Sequence, residues 1–402
     1  MSDRAPAPFL PYGRQVVDEE DVAAVAAVLR GDYLTTGPAV ESFESALTAR
    51  CDDRPAVAVA NGTAALQLAV AAVGLGPGDW AVVPTVTFLA TANAVRLNGG
   101  EVVFADVDPH TGLMTEESCR AAIARAGGPV KAILPVHLGG RLAGGPAIRD
   151  IADEIGAVVI EDGCHALGGA FADGSAVGGC AHAEAVTFSF HPVKTIAAGE
   201  GGAVLCRSEE TAERVRRLRN HGMVRAPERW RDRAAGFTDG SPNPWYYEMS
   251  EIGLNYRMTD IQCALAESQM HKLDRFVAAR DALARRYDAA LGAADLPVVP
   301  TPRHGTAGGA WHLYQVAVDF AAAGVSRAAV IRGLAEAGVG TQVHYIPVDR
   351  QPYYRDRYGD QPLPGAAHFY ERTLSLPLFP AMQPTDVDRV VGALRAALTT
   401  QA

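Results

Sequence analysis

A lysine, Lys194, lies between an apolar strand pattern and a glycine-rich stretch (199–202) in the segment VTFSFHPVKTIAAGEGGAV, residues 186–204. The alternation at its start predicts a strand in a sheet core, and the proline after His191 ends that strand because it has no N–H to donate. A lysine at such a strand end is partly removed from water. Its pKa is therefore lowered, and the neutral amine becomes a nucleophile towards carbonyls. The ordinary alternative is a surface ion pair with Glu200.

The turn Asn61-Gly62-Thr63 joins a short apolar strand pattern directly to an Ala/Leu-rich helix pattern. A turn of this kind presents free backbone N–H groups at a helix N-terminus, where the helix dipole favours an anion, most often a phosphate. The alternative is that Asn61 and Thr63 only cap the helix. This turn alone leaves both interpretations open.

Acidic, imidazole and hydroxyl side chains follow other strand patterns in the same way. Asp162 and His165 come directly after one apolar run, and Ser189 lies near the end of the strand before Lys194. Apolar strands that alternate with helices predict a largely parallel sheet covered on both faces. Functional groups of such sheets collect at the carboxyl ends of the strands, so we expect these side chains and Gly62 to meet at one edge.

The periodicity predicts the following elements in the first half of the chain: helices at 18–30, 39–50, 63–73, 87–97, 116–126 and 146–155, and strands at 56–60, 80–83, 102–104, 131–136, 157–160, 186–190 and 203–205. Residues 225–247 are predicted to be a loop at the surface or at an interface. A helical pattern over 261–291 leads into strands at 314–318 and 341–345 and helices at 327–337 and 386–398. We therefore predict a large domain, residues 1–265, and a smaller C-terminal α/β domain, residues 266–402.

The composition is that of a globular protein, with 48% hydrophobic and 20% charged residues among 402. The net charge of -10 and the absence of a basic run argue against nucleic acid as the main partner. No apolar run reaches membrane length and the N-terminal stretch has no signal-peptide core, so we expect no membrane association. Six scattered cysteines favour a reduced, cytoplasmic setting. Their spacing to histidines matches no zinc pattern, and we predict no metal site.

A lysine that holds a carbonyl cofactor acting as an electron sink needs three further groups. An acid must keep the ring nitrogen protonated, an anchor must hold a phosphate, and a flat side chain must stack on the ring. Asp162 is the candidate acid, and Phe88 is the candidate stacking residue. Gly62, Thr63 and Ser189 are the candidate phosphate anchor.

Segments along nearly the whole chain, from about Tyr12 onwards, resemble the DegT/DnrJ/EryC1/StrS family. They are TTGP, NGTAAL, TFLATANAV, VHLGG, EDGCHALG, FSFHPVKTIAAGEGG, GLNYRMTDIQ, VHYIPV and LSLPL. This family comprises pyridoxal-phosphate (PLP) sugar aminotransferases, so the resemblance implies that cofactor. It also implies an α/β, type I (aspartate aminotransferase-like) fold with a mainly parallel large domain. PYGRQ, CHALG, FSFHPVK, PWYYEM and HYIPVDRQPYY are most similar to the UDP-4-amino-4,6-dideoxy-N-acetyl-altrosamine transaminase (pseudaminic acid pathway) type.

The resemblance implies catalytic roles for Lys194, Asp162 and His165. Lys194 would form the Schiff base and move the proton, Asp162 would pair with the pyridine nitrogen, and His165 would lie near the ring hydroxyl. The implied cofactor-binding residues are Gly62, Thr63, Phe88, Asp162, His165, Ser189, Lys194 and Asn255. Asn255 resembles an asparagine that completes the neighbouring subunit's phosphate site, which implies a homodimer with shared active sites. The implied substrate-binding residues are Tyr12, Tyr33, Thr35, Thr36, Gly37, His191, Arg257, His344 and Tyr345.

Each role has an ordinary structural alternative. Asp162 could cap a helix, Phe88 could pack in the core, and His165 could be a structural histidine. Asn255 could only shape its loop, and the segment 344–345 could be strand packing. Asp349 is a departure from the resemblance, because related sequences carry histidine there.

The predicted reaction is a ping-pong transamination. An amino donor, L-glutamate, loads the cofactor, and a keto-sugar nucleotide then receives the amino group at C4 of a UDP-4-keto-6-deoxy-N-acetyl-hexosamine. A dTDP-keto-sugar and a keto-cyclitol are alternative acceptors. A sugar dehydratase of the same fold is disfavoured because such relatives carry histidine where this chain has Lys194. A non-catalytic regulator that retains the fold is the alternative of another class.

Overall fold

The computed structural model describes residues 8–302 and 310–399. Its first half alternates helices and strands as the apolar pattern predicts. The elements are α1 (Glu19–Arg30), α2 (Pro38–Arg50), β1 (Ala56–Val59), α3 (Gly62–Ala72), β2 (Trp80–Pro84), α4 (Leu89–Leu97), β3 (Glu101–Ala105), α5 (Glu116–Arg125), β4 (Val130–Ile133), α6 (Pro146–Ile155), β5 (Val158–Asp162), β6 (Ala185–Ser189), β7 (Gly202–Cys206) and α7 (Glu209–Arg219).

Within the described residues, β1 to β7 form one sheet in the order β1-β7-β6-β5-β4-β2-β3. Strand β7 runs antiparallel to β1 and β6, and the other neighbouring pairs are parallel. The predicted, largely parallel sheet is therefore confirmed. Because all strands except β7 point the same way, the carboxyl ends of β1, β2, β4, β5 and β6 open at a common edge.

Both faces of this sheet are covered, which explains why its strands are apolar without interruption. Successive residues of a strand point to opposite faces of the sheet and so belong to two separate cores. Val57 packs in a core with α3, α4 and α7, and Ala58 packs in one with α2, α5 and α6. Phe104 and Leu66 belong to the first core, and Phe43 belongs to the second. Each fully buried large side chain stabilises the fold by about 1.5–3 kcal/mol relative to exposure. The rigid sheet that results holds the loops at its carboxyl edge.

The second half of the chain begins with short elements and ends with a small sheet. The elements are β8 (Met223–Val224), α8 (Arg233–Gly236), β9 (Phe237–Thr238), β10 (Ser241–Pro242), β11 (Glu248–Met249), α9 (Asp260–Met270), α10 (Leu273–Gly292), β12 (Val298–Pro300), β13 (Tyr314–Val318), α11 (Arg327–Glu336), α12 (Pro352–Tyr358), α13 (Pro364–Arg372), β14 (Thr373–Leu376) and α14 (Pro384–Thr399). Strands β12, β13 and β14 pair antiparallel and share a third core with α10, α11 and α14.

Two predicted elements are wrong, and both errors have a tertiary cause. The helix predicted over 261–291 is broken into α9 and α10 next to Lys272, whose ammonium is buried against Asp18 and Asp21 of the N-terminal segment. The strand predicted over 341–345 is reduced to an isolated bridge between Gln342 and Ser375, after which the chain turns into the cavity described below.

The domain boundary at residue 265 falls inside α9 and stays a prediction. Helix α9 packs against α1 and α2, whereas α10 continues into the third core. The predicted domains also contain residues 1–7, 303–309 and 400–402, which lie outside the described residues. Among the described residues, no helix combines the length and the apolar character that crossing a membrane requires.

Candidate active site at the carboxyl edge of the large sheet

A cavity of about 690 Å³ opens at the carboxyl edge of the large sheet. The chain lines it with the loops that follow β1, β2, β5 and β6 and with the segment around residues 342–346. The predicted site residues in its lining are Tyr12, Gly62, Thr63, Phe88, Asp162, His165, Ser189, His191, Lys194, His344 and Tyr345. Strand ends that are far apart in the sequence thus supply one site, as expected for a parallel sheet.

Lys194 follows β6 in a tight turn in which its backbone N–H donates to the carbonyl of His191 at 2.8 Å. Its side chain is half-buried and lines the cavity. Burial lowers the pKa of the amine from its ordinary value of 10.5, and the nearby Cys164 and Asp162 oppose this shift. More of the amine is therefore neutral near pH 8 than in a solvated lysine. No ion pair between Lys194 and Glu200 occurs in the described part of the chain, although Glu200 lines the same cavity.

Asp162 ends β5 and is 5% exposed. Its Oδ2 accepts a hydrogen bond from the Thr91 hydroxyl at 2.7 Å, and its Oδ1 accepts one from the backbone N–H of Cys164 at 3.2 Å. The Thr91 proton points at the carboxylate, so the Thr91 oxygen must accept from the Thr87 hydroxyl, 2.8 Å away. A directed chain of hydroxyls thus fixes the carboxylate beside the cavity.

The start of α3 forms a cradle suited to an anion. Oδ1 of Asn61 accepts from the N–H of Ala64 at 2.9 Å, and its carbonyl accepts from Ala65. No hydrogen bond among the described residues uses the N–H groups of Gly62 and Thr63. These two donors lie at the positive end of the helix dipole, which fits a phosphate ester.

Gly62 is required for the close approach of this cradle to the neighbouring strand. A Cβ atom at position 62 would lie 2.7 Å from Cβ of Ser189 at the end of β6. Carbon atoms do not approach so closely, so a larger residue must push Ser189 or the helix start outwards. The bare backbone keeps the hydroxyl of Ser189 next to the free N–H groups.

Replacing Gly62 by alanine should therefore weaken binding of a phosphorylated cofactor about tenfold, equivalent to about 1.4 kcal/mol. Titration of the cofactor-free enzyme would measure this. Gly392→Ala is the matched control, because a Cβ there meets nothing within 4 Å in an exposed part of α14. Equal affinities of the Gly62→Ala and wild-type proteins would contradict the assigned cradle.

His165 is a buried, neutral imidazole. Its Nδ1 accepts from the N–H of Gly139 at 3.2 Å, so Nε2 carries the proton and faces the Tyr345 hydroxyl at 3.3 Å. Burial holds the pKa of His165 well below 6.5, and the positive charge of Lys194 adds to this effect. The ring of His312 packs against it with centroids 4.4 Å apart. His165 can therefore donate a hydrogen bond from Nε2 to a neighbouring oxygen.

Aromatic side chains also line the cavity. Phe88 precedes α4, is 55% exposed, and has its centroid 5.9 Å from that of Tyr345. A phenyl ring that is exposed to this extent is available to stack on a flat ligand. The alternative that Phe88 packs in the core is therefore excluded. Tyr12 and His344 have centroids 5.5 Å apart, and Nδ1 of His344 is hydrogen-bonded to the Ser375 hydroxyl. Burial lowers the pKa of His344 to about 3, so this ring is also neutral.

The remaining predicted residues do not line this chain's cavity. Tyr33, Thr35, Thr36, Gly37, Asn255 and Arg257 lie outside its lining. The loop that carries Thr35 and Gly37 contacts the start of α9, because Thr35 bridges to Thr259 and the N–H of Gly37 donates to Asp260 at 2.8 Å. Asn255 and Tyr33 are exposed. The resemblance implies a role in the neighbouring subunit's site for Asn255, and the roles of all six residues stay predictions.

Sequence reasoning missed Thr87, Thr91 and Gly139, which orient Asp162 and His165. A signal for the two threonines was present, since two hydroxyls one helical turn apart follow a strand end in TFLATA. Gly139 stands in the segment VHLGG but was given no role, and nothing local pointed to His312, because only the folded chain brings both residues to the site. The described residues include no group of three or more His, Cys, Asp or Glu side chains that could hold a metal ion.

Asp349, the departure from the resemblance, lies outside the cavity lining. Its Oδ1 accepts a hydrogen bond from the hydroxyl of Thr85, and the N–H of Val348 donates to the Thr85 carbonyl at 2.8 Å. Burial raises the pKa of Asp349. Asp349 thus ties the loop that carries Phe88 to the segment that carries Tyr345.

Comparison with known proteins matches residues 15–395 to the DegT/DnrJ/EryC1/StrS aminotransferase family. The chain is 38% identical to the spore coat polysaccharide biosynthesis protein SpsC of Bacillus subtilis, over 96% of both chains. It is similar to the solved structure of Helicobacter pylori PseC, an aminotransferase involved in the biosynthesis of pseudoaminic acid. The TM-score is 0.85 and the identity 25%, with 97% of this chain and 99% of that chain covered.

Spr1654 of Streptococcus pneumoniae, solved in PLP and PMP forms, matches with a TM-score of 0.84 and 25% identity for the PLP form. The match covers 97% of this chain and 98% of that chain. These findings confirm the predicted type I fold and the predicted cofactor, pyridoxal phosphate. The chain belongs to the DegT/DnrJ/EryC1/StrS aminotransferase family.

Proposed function

We propose that this aminotransferase moves an amino group from L-glutamate to C4 of a UDP-4-keto-6-deoxy-N-acetyl-hexosamine. The observation that carries the proposal is the half-buried Lys194 amine, which shares one cavity with Asp162 and with the cradle at the start of α3. PseC, which has the same fold, is involved in pseudoaminic acid biosynthesis, and SpsC in a coat polysaccharide. The likeness to PseC supports an amino-sugar product, and the likeness to SpsC supports a product that enters a polysaccharide.

The residues of the cavity fit pyridoxal phosphate. When bound, this group supplies a ring that withdraws electrons from the substrate carbon. The N–H groups of Gly62 and Thr63 and the hydroxyl of Ser189 would hold its phosphate. Asp162, already fixed by Thr91 and the N–H of Cys164, would pair with the ring nitrogen. The exposed ring of Phe88 would cover one face.

Lys194 is the group that moves the proton in this proposal. Its pKa is lowered by burial, so the amine takes up and releases a proton closer to neutral pH than a solvated lysine does. His165 stays neutral, so it would donate a hydrogen bond from Nε2 to an oxygen of the ring without adding a positive charge to the site. These residues supply the acid, the base and the hydrogen-bond donor for transamination.

The cavity lacks the cations that a sugar nucleotide requires. Among the described lining residues, Lys194 is the only lysine or arginine. A diphosphate and the carboxylates of glutamate are anions that bind most strongly to arginine or lysine. Asn255 is exposed outside this cavity, and Arg257, two residues on, is half-buried and donates to Oδ1 of Asn220, so we propose that a second subunit receives this segment.

We propose a homodimer in which each chain completes its partner's site. Large apolar side chains are exposed around the outer residues: Tyr33 is 58% exposed, Ile252 is 85% exposed, and Leu34 and Leu254 are also exposed. An apolar surface of this kind is typical of a protein interface. The cytoplasmic location stays a prediction.

A complementation experiment tests the shared site. Asn255→Ala and Lys194→Ala proteins should each be nearly inactive, because one damages the partner's site and the other its own. After unfolding and refolding as a mixture, a quarter of all sites should be intact, so about one quarter of wild-type activity is expected. Particle masses in solution provide the control for dimer formation. If the refolded mixture contains dimers of one variant chain with the other and is still as inactive as each variant alone, the shared sites are refuted.

The substrate is tested by a panel. Purified enzyme with L-glutamate is offered UDP- and dTDP-4-keto-6-deoxysugars, with and without an N-acetyl group, and a keto-cyclitol, and 2-oxoglutarate release is measured. The proposal expects the highest kcat/KM with the UDP-linked N-acetyl sugar. Transfer to the cyclitol alone would overturn the substrate assignment but not the transaminase chemistry.

A further inference from the structure

Arg280, on α10, is 1% exposed and has no carboxylate partner among the described residues. Its guanidinium donates to backbone carbonyls instead. Nη1 donates to Leu378 at 2.8 Å and to His312 at 3.2 Å, and Nη2 donates to Val193 at 3.5 Å and to Lys194 at 3.4 Å. Its Nε has no acceptor in the described structure.

The burial of such a residue is unfavourable by itself. A charge taken out of water costs several kcal/mol unless an opposite charge or a full set of hydrogen bonds offsets this cost. Burial lowers the pKa of Arg280 only to about 10, so the guanidinium stays charged at neutral pH. An apolar side chain of similar volume would fill this space without that desolvation cost, so packing alone does not account for an arginine here.

The contacts of Arg280 converge on the reacting groups. Its guanidinium donates to the backbone carbonyls of Val193 and Lys194. These two residues belong to the turn that positions the Lys194 side chain at the edge of the cavity. Arg280 also binds the carbonyl of His312, whose ring packs against His165. A planar group with several fixed donors can hold these separate segments at once, which an ammonium cannot do.

We propose that Arg280 is a positioning residue that fixes the backbone of Lys194 relative to the cavity and couples it to the wall formed by His312 and His165. The inference rests on the proposed function, because Lys194 is the reacting amine there. Arg280 acts through the backbone and does not line the cavity.

Arg141 provides a matched control. It is also 1% exposed and lacks a carboxylate partner in the described structure, and its Nη2 donates to the Thr111 carbonyl and to Oε1 of Gln315. It makes no hydrogen bond to the Lys194 turn. Replacing Arg141 therefore removes a buried guanidinium of the same kind but no hydrogen bond to the Lys194 turn.

The experiment compares Arg280→Met, Arg280→Lys and Arg141→Met with wild type. The cofactor is removed, pyridoxal phosphate is added back, samples are reduced with borohydride at intervals, and mass spectrometry measures how fast Lys194 gains the pyridoxyl group. Thermal unfolding is followed in parallel. We expect labelling of Lys194 to be about tenfold slower in Arg280→Met and a few-fold slower in Arg280→Lys. In Arg141→Met it should stay within about twofold of wild type, even if stability falls.

The outcomes separate the two proposals. Wild-type protein that carries no label on Lys194 would refute the proposed function itself. The positioning role would be overturned if Lys194 is labelled in the wild-type protein and is labelled at the same rate in both Arg280 variants. It would also be overturned if labelling is slowed in Arg141→Met as much as in Arg280→Met. If Arg280→Met does not fold, Arg280→Lys decides: a slower rate with a near wild-type melting temperature supports the inference, and an unchanged rate overturns it.

Discussion

Replacing Lys194 by alanine should reduce transamination by about 10⁴-fold or more. The variant loses the amine that binds the cofactor covalently and the base that moves the proton, and proton transfer by a positioned group alone contributes about 10²–10⁴-fold. The measurement is 2-oxoglutarate release from glutamate with the best acceptor of the panel. Added methylamine should restore part of the activity, because the truncated side chain leaves room for a small amine.

Lys131→Ala, in β4 and away from the cavity lining, is the control and should keep full activity. The lowered pKa of Lys194 gives a second measurement on the cofactor-free enzyme. A lowered pKa means that the neutral amine appears at lower pH, so labelling of Lys194 by an amine reagent should reach half its maximum below pH 10.5. A midpoint at or above that pH, or an active alanine variant, would contradict the assigned role.

Replacing Asp162 by asparagine should lower kcat about 10²–10³-fold, with a smaller effect on cofactor affinity. The change removes the negative charge that would keep the ring nitrogen protonated, and this charge acts in a poorly solvated site. It also disturbs the local hydrogen bonds, because the two carboxylate oxygens accept from Thr91 and from the N–H of Cys164, whereas asparagine keeps only one acceptor oxygen and places an NH₂ donor against the other partner. Activity and the absorbance of the bound cofactor would be measured together.

Asp106 offers a matched control for this substitution. It also follows a strand of the large sheet, β3, but its oxygens accept from the N–H groups of Gly365 and Ala366 at the start of α13. Asp106→Asn should cost about 1 kcal/mol of stability through the lost cap and leave kcat unchanged. If Asp162→Asn retains wild-type kcat while Asp106→Asn does not, Asp162 is not the partner of the ring.

The large sheet and most of the cavity could be predicted from local patterns. Apolar runs of strand length that alternate with amphipathic helices have few folded solutions, and in a parallel sheet the residues after each strand meet at one edge. Asp162, Ser189, Lys194 and Gly62 could therefore be grouped from the sequence alone. The chemistry that a carbonyl cofactor needs added Phe88, and the resemblance added Tyr12 and the segment 344–345, which line the same cavity.

Other features depend on contacts between distant segments. The pattern over 261–291 is helical throughout, yet the buried pairing of Lys272 with Asp18 and Asp21 divides it. The run 341–345 has strand character, yet it lines the cavity while residues 373–376 take the place beside β13. The secondary-structure propensity of a segment contributes less free energy than a buried contact does. Tertiary packing therefore decided the structure of both segments.

The amino-acid sequence by itself determined the parallel sheet and the edge at which Asp162, Ser189 and Lys194 collect, because these follow from periodicity and from chain direction. Only the tertiary structure decided how those groups are held. The hydrogen bond from Thr91 to Asp162, the neutral state of His165 and the buried guanidinium of Arg280 beside the Lys194 carbonyl all depend on partners distant in the chain. Hydrogen bonds and burial act through space, and the spacing of residues along the chain does not encode them.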